Sequence, residues 1–172
     1  MRSAICLLSV SLFGLPLAQA APQPVPPAPN GIEYPADYPN WRLISISDRT
    51  DNKTMRAILG NDIAIQAARA GHTRPWPDGA ILAKVVWKAD PKTNWKTALA
   101  PGKFVHAEFI FKDARRWAGN GTGWGWARWV GLEQKPYGKD AGFSQECISC
   151  HTPVKGTDWV FTVPARFPGL SR

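Results

Sequence analysis

The feature that most constrains this chain is a short motif near its C terminus, Cys147-Ile148-Ser149-Cys150-His151. Cys-x-x-Cys-His is the pattern used for covalent attachment of a c-type haem. Two thiols separated by two residues on one helical turn can add to the two vinyl groups of the macrocycle, and the adjacent histidine can then bind the iron. We therefore expect haem c attached through Cys147 and Cys150, with His151 as the iron ligand.

Two other interpretations of the same cysteines are a redox-active Cys-x-x-Cys pair and half of a zinc site. A zinc site needs two further Cys or His ligands at paired spacing, and among histidines only His72 and His106 remain. A redox pair does not need the adjacent histidine, and the surrounding sequence lacks the βαβ pattern of thioredoxin-like proteins. Both are weaker than the haem interpretation.

The first twenty residues have the features of a secretory signal peptide. Arg2 precedes an apolar run from Ala4 to Leu17, which ends in the small-x-small pattern of residues 18–20. The run is too short for a typical membrane span. We expect cleavage after Ala20 and export to the periplasm, where c-type haem is attached. Cleavage also removes Cys6, and no later stretch of the sequence is long and apolar enough to span a bilayer.

Composition excludes several classes of protein. The chain of 172 residues has 16 Pro, 15 Gly and 9 Trp, which fits short strands and turns better than a long-helix bundle such as the cytochrome c′ fold. Loss of Arg2 lowers the formal net charge from +8 to +7, and haem propionates would lower it further. An acidic periplasmic electron acceptor is therefore a more natural partner than nucleic acid.

The sequence predicts an α+β domain, mainly an antiparallel β-sheet with a few short helices. Residues 21–30 contain five prolines and predict a mobile, extended lead-in to a domain over residues 31–172. Asn61 or Asp62 is expected to begin a helix that Gly71 ends. Period-two patterns and turn signals predict the other elements: strands over 41–47, 56–59, 80–88 and 103–111, a hairpin across 117–130 around Asn120-Gly121, and a helix over 143–151.

The position of the haem motif bears on the coordination of the iron. Small electron-carrying c-type cytochromes usually have this motif near the N terminus and a methionine ligand near the C terminus. Here no methionine follows the motif, and Met55 lies in a predicted strand. We therefore expect five-coordinate iron with one face open to a small molecule.

Several segments of the sequence stand out together with the haem motif. They are residues 35–41, Asp78-Gly79 with Lys84, Glu108 with residues 112–117, and the haem motif followed by residues 157–162. In this combination, from about Tyr34 to Thr162, the sequence resembles the cytochrome P-460 family, which includes the cytochromes c′-beta. The resemblance implies a homodimer in which each subunit holds one haem against an antiparallel sheet.

The same resemblance implies roles for two polar residues of the predicted strands. Lys84 matches a lysine that is cross-linked to the haem edge in hydroxylamine-oxidising members, although periodicity alone favours a solvated strand lysine. Glu108 matches an acidic residue of the haem pocket. A carboxylate between apolar neighbours should have a raised pKa, suited to a general base, unless it lies at an edge facing water.

Two further residues are candidates for the site. His106, on the predicted strand face of Glu108, is a candidate proton relay or sixth iron ligand, or else a surface or dimer-interface histidine. Arg56 is a candidate partner of a haem propionate, because an arginine fork suits a carboxylate.

The leading functional hypothesis is therefore a haem enzyme that oxidises hydroxylamine or a related small nitrogen compound. The alternatives are a cytochrome c′-beta-like protein that binds nitric oxide or another gas without turnover, and an electron carrier with a sixth ligand.

Overall fold

The computed structural model describes residues 24–169, so the predicted signal peptide at residues 1–20 lies outside the described residues. The chain forms an α+β fold, as the sequence predicts. Its strands are β1 (Arg42–Arg49), β2 (Thr54–Gly60), β3 (Ile81–Lys92), β4 (Trp95–Lys112), β5 (Trp124–Val130) and β6 (Lys135–Pro136). Its helices are α1 (Asp62–Ala70) and α2 (Ser144–His151), and short 3-10 turns lie at residues 38–40, 118–120, 141–143 and 152–157.

The six strands form one antiparallel sheet in which each strand pairs with the next along the chain. The order follows from the short connections, because antiparallel neighbours can be joined by tight loops. The central pair, β3 and β4, is rich in apolar and β-branched residues and includes the predicted strands over 80–88 and 103–111, which are confirmed apart from Ala80 at one end. Beyond Lys88, the ends of these two strands pair with each other alone and extend past the rest of the sheet.

Both faces of the sheet are covered, and each has its own apolar core. One face carries Leu82, Trp124 and Trp126 and packs against α1, Ile148 of α2 and Val160. We call it the cavity face, because a cavity lies between it and the C-terminal part of the chain. The opposite face carries Ala83, Phe109 and Trp129, among others. Because successive strand residues point to opposite faces, Leu82 and Ala83 belong to different cores.

Helix α1 confirms the predicted helix at both ends. The side chain of Asn61 accepts a hydrogen bond from the backbone N–H of Ala64, which caps the N terminus. Gly71 ends the helix with φ of 74°, in the left-handed region that glycine adopts without strain. Ala64, Ile65 and Ala67 are buried, and they attach the helix to the cavity face.

The predicted hairpin across residues 117–130 is wrong. Asn120-Gly121 forms the end of a 3-10 turn, and the Asn120 side chain accepts from the N–H of Thr122 and donates to the carbonyl of Trp124. Only the second half of the segment is a strand, and that strand, β5, pairs with residues 106–112 of β4. The local turn signal was real, but the pairing partner lay earlier in the chain.

The proline-rich lead-in is packed where it is described, contrary to the expected mobile segment. Ala28 is 3% exposed in the core of the face opposite the cavity. The indole N–H of Trp129 donates to the carbonyl of Pro26 at 2.9 Å, and the Asn30 side chain donates to the carbonyl of Trp126 at 2.8 Å. Burial of apolar surface and these hydrogen bonds hold the segment against the sheet.

Within residues 24–169, no helix has the length and apolar character needed to cross a membrane.

Candidate functional site

A cavity of about 640 Å³ lies between the cavity face of the sheet and the C-terminal part of the chain. One wall is formed by residues of β1 to β5, and the other by α2 and residues 160–163. This size is in the range of pockets that bind cofactors. The structure brings six of the seven predicted site residues to this cavity: Arg56, Lys84, Glu108, Cys147, Cys150 and His151.

Helix α2 presents the haem motif on one wall of the cavity. Cys147 is half-buried and Cys150 is exposed, and the two are free thiols rather than a disulfide. Burial raises the pKa of Cys147 to about 11, even though the charge of Arg128 opposes this. Redox-active cysteines have lowered pKa values, so this environment does not favour the redox interpretation of the pair.

His151 is held in one orientation and one tautomer. Its Nδ1 lies 2.6 Å from the backbone carbonyl oxygen of Trp159. Because a carbonyl oxygen can only accept, Nδ1 carries the proton, and Nε2 retains the lone pair that a metal needs. Burial lowers the pKa of His151, which favours the neutral ring. The rings of Trp126 and Phe161 contact the imidazole edge-on, with centroids 4.7 and 4.9 Å away.

Three charged side chains lie side by side across the opposite wall, on β3, β4 and β5. The strand register places Lys84 opposite Glu108, and Glu108 opposite Arg128. Lys84 Nζ forms an ion pair with one carboxylate oxygen of Glu108. Arg128 Nε lies 2.6 Å from the other oxygen, although its N–H is not aligned for a hydrogen bond. Lys84 therefore lies at the cavity and is not a free strand lysine.

The environment of Glu108 corrects one expectation from the sequence. Burial alone would raise the pKa of Glu108, as expected, but Lys84 and Arg128 outweigh it and lower the pKa to about 2. The Glu108 side chain is 16% exposed, so these charges act with little screening by water. Glu108 is thus an ionised carboxylate at neutral pH and a poor proton acceptor.

His106 is the predicted site residue that is not at the cavity wall. Its Nε2 lies 3.5 Å from Glu108 Oε1, the carboxylate oxygen that Arg128 contacts, whereas Lys84 pairs with the other oxygen. Burial lowers the pKa of His106 to about 4, with the carboxylate of Glu108 opposing the shift, so the ring is neutral at neutral pH. This placement does not favour the sixth-ligand role considered for His106.

Arg56 lies at the cavity on β2, as the sequence predicts. One of its terminal nitrogens donates to the Thr54 hydroxyl at 3.0 Å, while its buried Nε has no hydrogen-bond partner among the described residues. A buried unpaired donor is unfavourable unless a further group supplies an acceptor. A propionate of a bound macrocycle is one such acceptor.

Sequence reasoning missed Arg128 and Trp159. Arg128 is the one charged residue of β5. It follows Trp124 and Trp126 at two-residue spacing, so the period of a strand was an available signal that it shares their face. Trp159 acts through its backbone carbonyl, which no side-chain pattern reveals.

The guanidinium of Arg128 also lies 4.4 Å from the ring centroid of Tyr137, whose hydroxyl donates to Glu146.

The residues present fit a haem. They supply a neutral imidazole with a free Nε2, two thiols one helical turn apart, a cavity of suitable size and an arginine lacking an acceptor. The fold and the site thus define a protein whose antiparallel sheet forms one wall of a cavity suited to a haem.

Comparison with known families gives the same class. The sequence matches the family Cytochrome P460 over residues 35–162, and the chain belongs to this family of haem proteins. No curated protein matches the chain.

Proposed function

We propose that the protein is an exported c-type haem enzyme that oxidises hydroxylamine or a related small nitrogen compound. In this proposal Cys147 and Cys150 form thioether bonds to the haem, and His151 Nε2 binds the iron. The observation that carries the proposal is the one that supports His151 as the iron ligand: the hydrogen bond between His151 Nδ1 and the carbonyl of Trp159, at 2.6 Å. Metal-bound histidines commonly donate their second ring N–H to such an oxygen.

The lining of the cavity supports an open coordination position on the iron. Among the His and Met side chains of the described residues, His151 lines the cavity, whereas Met55, His72 and His106 do not. No second His or Met ligand therefore lies at the cavity in this part of the chain. An open face can bind a small nitrogen compound, whereas a closed one mainly supports electron transfer.

In this proposal Glu108 orients the substrate. Paired with Arg128, its carboxylate can accept hydrogen bonds from the N–H and O–H groups of hydroxylamine. The protons that the substrate loses pass on to water or buffer. Arg56 is placed to pair with a propionate of the haem.

The bound haem would supply the electron-accepting centre. Oxidation removes electrons and protons from the substrate, so the reaction needs an acceptor that takes the electrons onward. The formal net charge of +7 that remains after loss of Arg2 favours an acidic protein for this role, located with this one in the periplasm. We also propose a homodimer, as the family resemblance implies.

A second candidate is a protein that binds nitric oxide or another diatomic gas without turnover. Two observations favour it: the poor basicity of Glu108 and the apolar part of the cavity, lined by Ile58, Leu82 and Ile110. Such a protein would keep Lys84 unmodified, whereas the enzyme of the leading proposal would carry a bond between the Lys84 nitrogen and the haem edge.

Turnover and intact mass of the same holoprotein distinguish the two candidates. The enzyme should reduce an added acceptor only when hydroxylamine is supplied, and its mass should be lower by the hydrogens lost on cross-linking. Lys84→Arg keeps the positive charge but cannot form this bond, so it should lose turnover and regain the uncross-linked mass. The matched control is Lys88→Arg, on the same strand but exposed and away from the cavity.

The results can contradict the leading proposal in two ways. Absence of turnover with every acceptor tested, together with nitric oxide binding, would leave the gas-binding candidate. Equal turnover in Lys84→Arg and the unmodified protein would show that Lys84 has no part in the reaction.

A further inference from the structure

The segment that holds His151 is itself fixed by a buried ion pair outside the cavity. Lys112 Nζ, at the end of β4, lies 2.7 Å from Asp158 Oδ1. The side chains of Lys112 and Asp158 are 7% and 12% exposed. A pair so little exposed is weakly screened and is not a typical surface salt bridge. Neither residue lines the cavity.

Asp158 is held by more than its partner charge. Its other carboxylate oxygen accepts the backbone N–H of Trp76 at 2.8 Å. Its backbone carbonyl accepts the indole N–H of Trp124 at 2.8 Å. The ammonium of Lys112 also lies 5.0 Å from the centroid of the Trp124 ring. Side chain and main chain of Asp158 are thus both attached to the buried end of the sheet.

The backbone at this point is one that the sequence does not favour. Asp158 and Trp159 have φ values of 54° and 66°, so two consecutive residues that are not glycine lie in the left-handed region. This conformation is disfavoured for residues with a Cβ, above all for a bulky one such as Trp159. Such strain persists where surrounding contacts fix the backbone, and it occurs preferentially at functional sites.

The consequence of this backbone path is the position of one carbonyl group. Trp159 directly follows the anchored Asp158, and its carbonyl oxygen is the group that accepts from His151 Nδ1. A shift of about one ångström in Trp159 would break a hydrogen bond of this kind.

We propose that Lys112 and Asp158 are positioning residues that set the strength of the His151–Trp159 hydrogen bond and, through it, the electron donation of His151 to the iron. The inference rests on the proposed function in one respect, the ligation of haem iron by His151. A strong hydrogen bond from Nδ1 gives the imidazole more anionic character, which stabilises ferric over ferrous iron. The ion pair therefore holds the reduction potential low.

The test uses the holoprotein and three variants of the pair. Asp158→Asn removes the charge but keeps a residue type tolerated at positive φ. Lys112→Met removes the other charge and keeps an apolar stem against Trp124. The double variant removes both charges, leaves no unpaired buried charge, and so tests the proposal even where a single variant folds poorly. Asp62→Asn is the matched control, because it breaks an exposed ion pair with Arg42.

Two readouts respond to the ligand rather than to general stability: the reduction potential, and the iron–histidine stretching frequency of the ferrous protein by resonance Raman spectroscopy. The three variants should lower this frequency. They should also shift the ferric-to-ferrous preference by roughly tenfold, a rise in potential of about 59 mV for a one-electron couple. Asp62→Asn should change neither. The double variant should resemble each single variant, because the two residues act as one unit.

The outcomes separate this inference from the proposed function. If the unmodified holoprotein has no iron–histidine band, ligation by His151 is wrong and the inference falls with it. If the band is present, but its frequency and the potential are the same in the double variant as in the unmodified protein, the positioning role alone is refuted.

Discussion

Replacing Glu108 by glutamine should remove a stabilising contribution that depends on pH. The pKa of Glu108 is lowered from its ordinary value of 4.5 to about 2, because Lys84 and Arg128 outweigh the effect of burial. The ionised form is therefore bound more favourably in the folded state by about 3 kcal/mol. In protein whose Lys84 amine is free, loss of this charge in Glu108→Gln should lower the free energy of unfolding by that amount at pH 7.

The sign of the pH dependence follows from the direction of the shift. As pH falls, the unfolded carboxyl takes up its proton first, near pH 4.5, while the folded one stays ionised down to about pH 2. The contribution is therefore complete above pH 4.5 and is lost between pH 4.5 and about 2. The difference in stability between the unmodified protein and Glu108→Gln should shrink over the same interval.

Urea denaturation of the holoprotein at a series of pH values measures this difference directly. Glu133→Gln, at an exposed position, is the matched control and should change stability by no more than about 0.5 kcal/mol. A Glu108→Gln variant as stable as the unmodified protein at pH 7, or a difference that persists unchanged at pH 2.5, would refute the assignment of Glu108 as the buried partner of two cations.

Three further predictions concern packing, attachment and titration. Gly125→Ala places a Cβ against the ring of Trp117 and should destabilise the fold by about 1–3 kcal/mol in urea denaturation, whereas Gly119→Ala, with open space around it, should not. Cys150→Ser should leave haem attached through one thioether, and the pyridine haemochrome spectrum should shift accordingly; an unchanged spectrum would refute attachment there. The ring of His106, neutral because burial lowers its pKa to about 4, should show no titration by NMR between pH 5 and 8, and a midpoint near 6.5 would contradict its burial.

Local sequence signals were sufficient for the elements whose ends are set by neighbouring residues. Asn61 and Gly71 define α1 because a capping side chain and a left-handed glycine act within one helical turn. The central strands were predictable for a similar reason, since alternation along β3 and β4 reports which residues share a face. The same alternation correctly placed His106 on the strand face of Glu108.

Alternation does not report which residues are opposite one another on neighbouring strands. The contacts between strands could therefore not be predicted from the sequence. The ionised state of Glu108 depends on the register that sets it between Lys84 and Arg128, and register is fixed by pairing over long sequence distances. The Asn120-Gly121 signal failed for the same reason, because β5 pairs with β4 rather than with residues just before the turn. The carbonyl of Trp159 was invisible to any side-chain pattern.

The central claim is a haem bound by one protein ligand, His151, with an open face on the iron. Electron paramagnetic resonance of the resting ferric holoprotein tests it most directly. The structure predicts a high-spin, five-coordinate signal, because His151 is the one His or Met side chain of the described residues that lines the cavity. A low-spin, six-coordinate signal at a pH too low for bound hydroxide would contradict the claim, since it would require a second protein ligand and would point to an electron carrier.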